Sequence, residues 1–211
     1  MKEDAVSEQG KKVRVLGIAG SLRQGSYNRA LLRAAVELAP PEMEVVVFDK
    51  LALIPLYNED VRTRGEPAPV TVLKEAIRRA DALLIVTPEY NYSIPGVLKN
   101  AIDWASRLPQ DSPLHGKPVA LMGASTGAFG TARAQMHLRQ VCAYTNMHLL
   151  NKPAVLVARA REKFDEGGHL TDETTRGFVR EQLQALLEWT LRLQRGAREA
   201  RRAPQDPPQD E

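Results

Sequence analysis

The sequence predicts an α/β fold: a doubly wound, five-stranded parallel sheet in the order 2-1-3-4-5, covered by helices on both faces. Three observations predict it. Five short runs are apolar at consecutive positions, the pattern of strands covered on both sides. Helical periodicity occupies the segments between them, so strand and helix alternate strictly. The 211 residues hold five strand–helix units, whereas a closed barrel takes eight such units over ~250 residues.

The first strand is VRVLGIA at 13–19, followed by a helix over 28–39. The second, EVVVF at 44–48, is short and β-branched. A connection rich in proline and charge, 51–69, precedes a helix over 70–80; connections this long are uncommon and often functional. The third strand, ALLIVT at 82–87, leads to a helix over 95–107. The fourth, PVALMG at 118–123, leads to a helix over 129–143, and the fifth, PAVLVA at 153–158, is followed by a polar loop over 159–172 and a helix over 173–195. One domain over 12–195 follows, with tails at 1–11 and 196–211 expected to be disordered.

Composition removes several function classes. Net charge is +3, from 29 basic and 26 acidic residues, too little for a charge-driven nucleic-acid binder. Five arginines between 192 and 202 read as a helix end without interleaved aromatics, so neither nucleic acid nor a membrane is expected as a partner. No run reaches the ~18 apolar residues of a membrane span. The opening MKEDAVSEQGKKV lacks the apolar segment of a secretory signal. A single cysteine, Cys142, excludes an internal disulfide framework and points to the cytoplasm; its apolar helical neighbours make it a small buried side chain. His115, His137, His148 and His169 are scattered without metal-ligand spacing.

In a doubly wound sheet, ligands bind beyond the carboxyl ends of the strands at the switch in strand order. Three loops lie there. The first, Gly20 to Asn28, joins a strand to a helix and carries Ser21, Arg23, Ser26 and Asn28. Hydroxyl, amide and guanidinium donors beside a helix N-terminus suit one phosphate monoester, although capping alone also accounts for Ser and Asn there. A Walker A loop is excluded because Ser26 stands where lysine is required, and Gly17, Gly20 and Gly25 have the wrong spacing for G-x-G-x-x-G. Asp49 is then an ordinary strand-end residue. The second loop, TPEYNYSIPG at 87–96, combines two tyrosines, an amide, a carboxylate and two prolines, a mixture suited to a flat heteroaromatic ring with polar edges. The third, STGAFG at 125–130, follows the fourth strand; a plain glycine-rich connection would read the same way.

GSLRxGSxN after the first strand and PEYNYSIPGVLKNAIDW after the third resemble the NAD(P)H-dependent FMN reductase family, the group that includes chromate, quinone and azo-dye reductases, over roughly residues 12–193. The resemblance implies a flavodoxin-like three-layer sandwich with FMN as cofactor and NADPH or NADH as co-substrate. It places the FMN phosphate at Ser21, Arg23, Ser26, Tyr27 and Asn28. The isoalloxazine ring then borders Pro88, Glu89, Tyr90 and Asn91, with Ser125, Thr126 and Gly127 on its pyrimidine side. It implies ping-pong transfer from the nicotinamide to flavin N5 and on to a small-molecule acceptor: quinone, azo compound, chromate, ferric chelate or free flavin. No side chain is assigned a catalytic role, because the chemistry is the flavin's. Main-chain N–H groups at 88–91 and 125–130 are the expected stabilisers of the reduced, anionic ring. Arg23, Arg62 and Arg64 are the candidates to meet a 2′-phosphate. Two adjacent apolar stripes on helix 95–107, one including Trp104, are wider than packing on a sheet needs. Together with the resemblance they imply a homodimer or homotetramer with that helix at the interface. A flavodoxin-type electron carrier and a non-catalytic redox sensor remain as alternatives; carriers of that type are acidic, and this chain is not.

Overall fold

The computed structural model describes residues 12–202. The elements are β1 (Val13–Ala19), α1 (Tyr27–Glu37), β2 (Met43–Phe48), α2 (Glu59–Arg64), α3 (Ala68–Arg79), β3 (Ala82–Val86), α4 (Gly96–Ala105), β4 (Pro118–Ala124), α5 (Ala132–Tyr144), β5 (His148–Leu149), β6 (Val155–Val157) and α6 (Glu173–Arg202). The sheet is parallel throughout, in the order β2-β1-β3-β4-β5, with β6 also paired to β4. The predicted α/β class and strand order are therefore those of the flavodoxin-like fold observed.

The consecutive apolar runs exist because both faces of the sheet are covered. On β3, Ala82, Leu84 and Val86 face one core while Leu83 and Ile85 face the other. The first core receives Leu31 of α1 and Val179, Leu183 and Leu186 of α6. The second receives Leu73 and Ile77 of α3, Leu98 and Trp104 of α4, and Leu138 and Cys142 of α5. Every residue of β4 is buried. Its end is also the tightest packing in the molecule. A Cβ on Gly123 would lie 2.2 Å from both Thr131 Oγ1 and the Thr87 carbonyl, so only glycine lets β4, β3 and the start of α5 converge there.

Several expectations shift. The strand predicted at 153–158 is the shorter β6, and an unpredicted two-residue strand, β5, precedes it; both pair with β4. The 51–69 connection contains a 3-10 turn over Leu51–Leu53 and the helix α2. Helix α5 begins at Ala132, so Phe129 lies in the loop before it. The C-terminal helix continues to Arg202, so the first part of the tail expected at 196–211 is helical; the tail expected at 1–11 and residues 203–211 lie outside the described residues.

Trp104 corrects the reading of helix 95–107. Its ring is fully buried within the chain. The indole N–H donates to the Pro55 carbonyl at 2.8 Å, and Tyr57 packs edge-on to the ring at 4.9 Å. The tryptophan of the wide apolar arc is thus covered by the chain's own 51–58 segment, which Asn100 also grips by donating to the Pro55 carbonyl and accepting from the Tyr57 N–H. A partner surface is not needed to bury it.

Candidate functional site

The three loops singled out by sequence meet at the carboxyl end of the sheet. Beyond β1 the ladder runs one residue further, the Gly20 N–H donating to the Val86 carbonyl at 2.8 Å, and the chain then turns into α1. Ser26 is the N-cap of α1, its Oγ accepting from the Asn28 N–H at 3.2 Å. The opening turn of a helix leaves main-chain N–H groups without intrahelical acceptors and carries the positive end of the dipole, so the loop presents a cationic concavity. Ser21 is buried beneath it, its Oγ 3.4 Å from the Tyr90 hydroxyl and accepting from the Arg23 N–H at 3.4 Å. Arg23 is exposed at the lip.

Asn28 has a different role from the one expected. Its side chain is 3 % exposed, with Nδ2 donating to the Ala124 carbonyl and Oδ1 accepting from the Ala124 N–H, each at 2.9 Å. The amide that sequence assigned to a phosphate is thereby committed to the end of β4. It ties the first loop to the third. Tyr27 lines the same crevice while its ring packs on Phe164 at 5.3 Å.

After β3, the Thr87 N–H donates to the Met122 carbonyl and Pro88 ends the ladder. Tyr90 and Ser93 exchange main-chain hydrogen bonds at 3.0 and 2.9 Å. Between them Asn91 and Tyr92 take φ of 50° and 65°, positive at both central positions as in a type I′ turn. Tyr90 reaches the crevice; Asn91, exposed in the turn, does not line it.

Glu89 is also committed. Its Oε2 accepts from the N–H groups of Arg133 and Ala134 at 2.9 and 3.2 Å, and its Oε1 from Arg133 Nη1 at 3.0 Å. Burial alone would raise this carboxyl, but the Arg133 side chain and the two N–H groups outweigh it and hold it below the usual carboxylate range. In the third loop, the Ser125 N–H donates to the Val157 carbonyl at 2.9 Å and the Gly127 N–H to Ser125 Oγ at 3.2 Å. Those two N–H groups are already spoken for, contrary to the expectation that they face a reduced ring. Ser125 and Thr126 line the crevice and Gly127 does not. The remaining candidate arginines lie elsewhere: Arg62 pairs with Glu59, and Arg64 Nε donates to the Asp60 carbonyl at 2.9 Å.

The loops enclose a crevice of about 160 Å³. The first loop contributes one set of lining groups, the Ser21 and Ser26 hydroxyls, the start of α1 and Arg23; the second and third loops contribute the other, Pro88, Tyr90, Ser125 and Thr126. The first set offers donors and positive potential for a phosphate. The second offers a flat, half-polar slot. Sequence reasoning missed Ala124 and Arg133, both essential to this arrangement. An acidic residue next to a ring site implies a compensating cation, but nothing in the local sequence says which of the chain's arginines supplies it.

Residues 13–162 match the family model of NADPH-dependent FMN reductase. The chain belongs to that family. An NAD(P)H-dependent FMN reductase of Pseudomonas aeruginosa is 55% identical over 181 residues, covering 86% of this chain and 97% of the relative. A quinone reductase of Escherichia coli strain K12 is 45% identical over 185 residues, 87% of this chain and 98% of the relative. Among solved structures, the flavoenzyme NAD(P)H:(acceptor) oxidoreductase of Paracoccus denitrificans superposes with a TM-score of 0.78 at 34% identity, covering 85% of this chain and 97% of that one. As an FMN reductase, the chain is an oxidoreductase that uses FMN with NAD(P)H. The donor set fits that cofactor: hydroxyls and a helix N-terminus suited to a monoester phosphate, beside a tyrosine and short polar side chains suited to a ring.

Proposed function

We propose that the chain holds FMN along this crevice and uses NAD(P)H to reduce small acceptors of the quinone class. The observation that carries the reading is the convergence of the 21–28, 88–90 and 125–126 segments on one crevice, the first bringing hydroxyls, Arg23 and a helix N-terminus and the others a tyrosine and short polar side chains. Ser21, Arg23, Ser26 and the first N–H groups of α1 would hold the phosphate. Pro88, Tyr90, Ser125 and Thr126 would border the ring; Asn28 and Glu89 line the same crevice, and their side-chain bonds fix its loops. Bound FMN supplies the hydride and electron transfer. The protein's part is to seat the ring with one face open to successive flat reactants and to balance its charge with the α1 terminus and Arg23. The quinone reductase named among the relatives supports the acceptor class. Azo compounds, chromate, ferric chelates and free flavin form the rest of the proposed range.

The test is direct. Protein reconstituted with FMN bleaches on anaerobic addition of NADPH or NADH and recovers its colour with benzoquinone. Flavin that binds but is not reduced by either nucleotide defeats the reductase reading in favour of an electron carrier, and no FMN binding defeats both.

The proposed assembly is a homodimer or homotetramer with α4 at the interface. With Trp104 buried internally, support comes from the neighbouring exposed apolar side chains, Tyr92, Phe129, Met136 and Tyr144. Light scattering that shows only a 23.4 kDa species removes the assembly. The cytoplasm is the proposed compartment, in keeping with a single unpaired cysteine. Among the described residues no helix is long and apolar enough to cross a membrane.

A further inference from the structure

We propose that Glu89 and Arg133 form a positioning pair that clamps the 88–93 turn to the first turn of α5 and so sets the slot in which the flavin ring is seated. The inference rests on the crevice being the FMN site. Neither residue is argued to touch the reacting atoms.

The observations come from three directions. First, α5 lacks a local cap: the hydroxyl of Thr131, at its N-cap, accepts from the Gln135 side chain and from no main-chain N–H of the first turn. Glu89, 44 residues earlier in the chain, supplies that cap through the N–H groups of Arg133 and Ala134. Second, the Arg133 guanidinium, bound to Glu89 at one nitrogen, lies between two aromatic rings. Its carbon is 3.8 Å from the centroid of Tyr92 in the ring loop and 4.7 Å from that of Phe129 in the third loop. One side chain therefore joins the two loops that border the ring. Third, Ser93 Oγ lies 2.9 Å from His137 Nδ1, one turn further along α5.

These anchors meet a need. Asn91 and Tyr92 both occupy the left-handed region without being glycine, a conformation that persists only where the surroundings over-determine it. Beside the turn's own Tyr90–Ser93 main-chain pair, the Glu89–Arg133, Tyr92–Arg133 and Ser93–His137 contacts all hold it to α5. The pairing also matters electrostatically. An unpaired carboxylate beside a ring that gains negative charge on reduction would oppose that reduction. A carboxylate saturated by a guanidinium and two N–H groups does not. Misplacing a bound reactant by ~1 Å costs on the order of a hundredfold in rate, so the clamp acts on turnover more than on affinity.

The experiment uses FMN-loaded protein and four variants: Arg133→Ala, Arg133→Lys, Glu89→Gln and the double Glu89→Gln/Arg133→Ala. The expected result for Arg133→Ala is a loss of roughly tenfold or more in kcat with NAD(P)H and benzoquinone. FMN affinity should fall by less than about threefold, because the phosphate end is untouched. The visible circular dichroism and the midpoint potential of the bound flavin should both shift. Arg133→Lys should recover part of kcat, and the double variant should lose no more than the worse single one. If Arg133→Ala does not fold, Glu89→Gln carries the same comparison, since it keeps side-chain volume and weakens the charge pairing. Variants that melt earlier but keep wild-type kcat, dichroism and potential would overturn the positioning role and leave a purely structural ion pair. Parent protein that binds no FMN overturns the reading of the crevice as well, and this is seen before any variant is made.

Discussion

The Asn28 side chain and the Ala124 main chain form a closed pair of hydrogen bonds, donor and acceptor on each side, at 2.9 Å. Asn28 is the second residue of α1 and Ala124 the last of β4, so the pair stitches the loop after β1 to the loop after β4. Removing the amide leaves a buried N–H and a buried carbonyl without partners. Asn28→Ala should therefore destabilise the fold by about 2–4 kcal/mol, a sum over the two orphaned groups. Urea denaturation without flavin measures it directly. A loss confined to FMN affinity, with stability unchanged, would return Asn28 to the phosphate-donor role.

Ser26 gives the complementary case. Its hydroxyl caps α1 and faces the crevice. Ser26→Ala should cost ~1 kcal/mol of stability through the lost cap. FMN affinity should fall by a further ~1–3 kcal/mol through the lost charge-assisted bond to phosphate. Fluorescence titration of FMN against riboflavin separates the two effects, because riboflavin lacks the phosphate and should bind both proteins equally.

Gly123 admits no side chain. With both neighbours of a new Cβ at 2.2 Å, one of them main chain, Gly123→Ala must push β4 away from β3 or from α5. The expected cost is ~2–3 kcal/mol or more, at the upper end of overpacking effects. It is read as a fall in the urea midpoint.

Acid should loosen the start of α6 through Asp172. The Lys163 side chain, then the Thr175 hydroxyl and N–H, bring its carboxyl down to about 2. Because the folded value is depressed, the contribution is fully present above the unfolded value near ~3.9 and is lost as pH falls through the folded one. The thermal midpoint of wild-type protein should therefore drop more steeply than that of Asp172→Asn between roughly pH 4 and 2. Parallel curves for the two proteins would dismiss the effect.

Cys142 should be inert while the protein is folded. Burial pushes its thiol up to about 12, against a smaller opposing influence of Arg139. Iodoacetamide at neutral pH should leave it unmodified in buffer and label it fully in denaturant. Rapid labelling in buffer would place the thiol at the surface.

The strands other than the two-residue β5, the order of the sheet and the three loops at its carboxyl end were legible from pattern. Val13–Ala19, Ala82–Val86 and Pro118–Ala124 are apolar at consecutive positions because both faces are buried, and a run of residues records that condition directly. The residue types that collect around a phosphate and a ring were equally visible, since each loop is contiguous. What those side chains do was settled only by the fold. Asn28 meets Ala124 across 96 positions, Glu89 meets Arg133 across 44, and Trp104 is covered by Pro55 from 49 positions away. Periodicity reports how buried a position is. It carries no record of which distant main-chain group will stand opposite, because crossover helices and sheet register decide that after the chain has closed on itself.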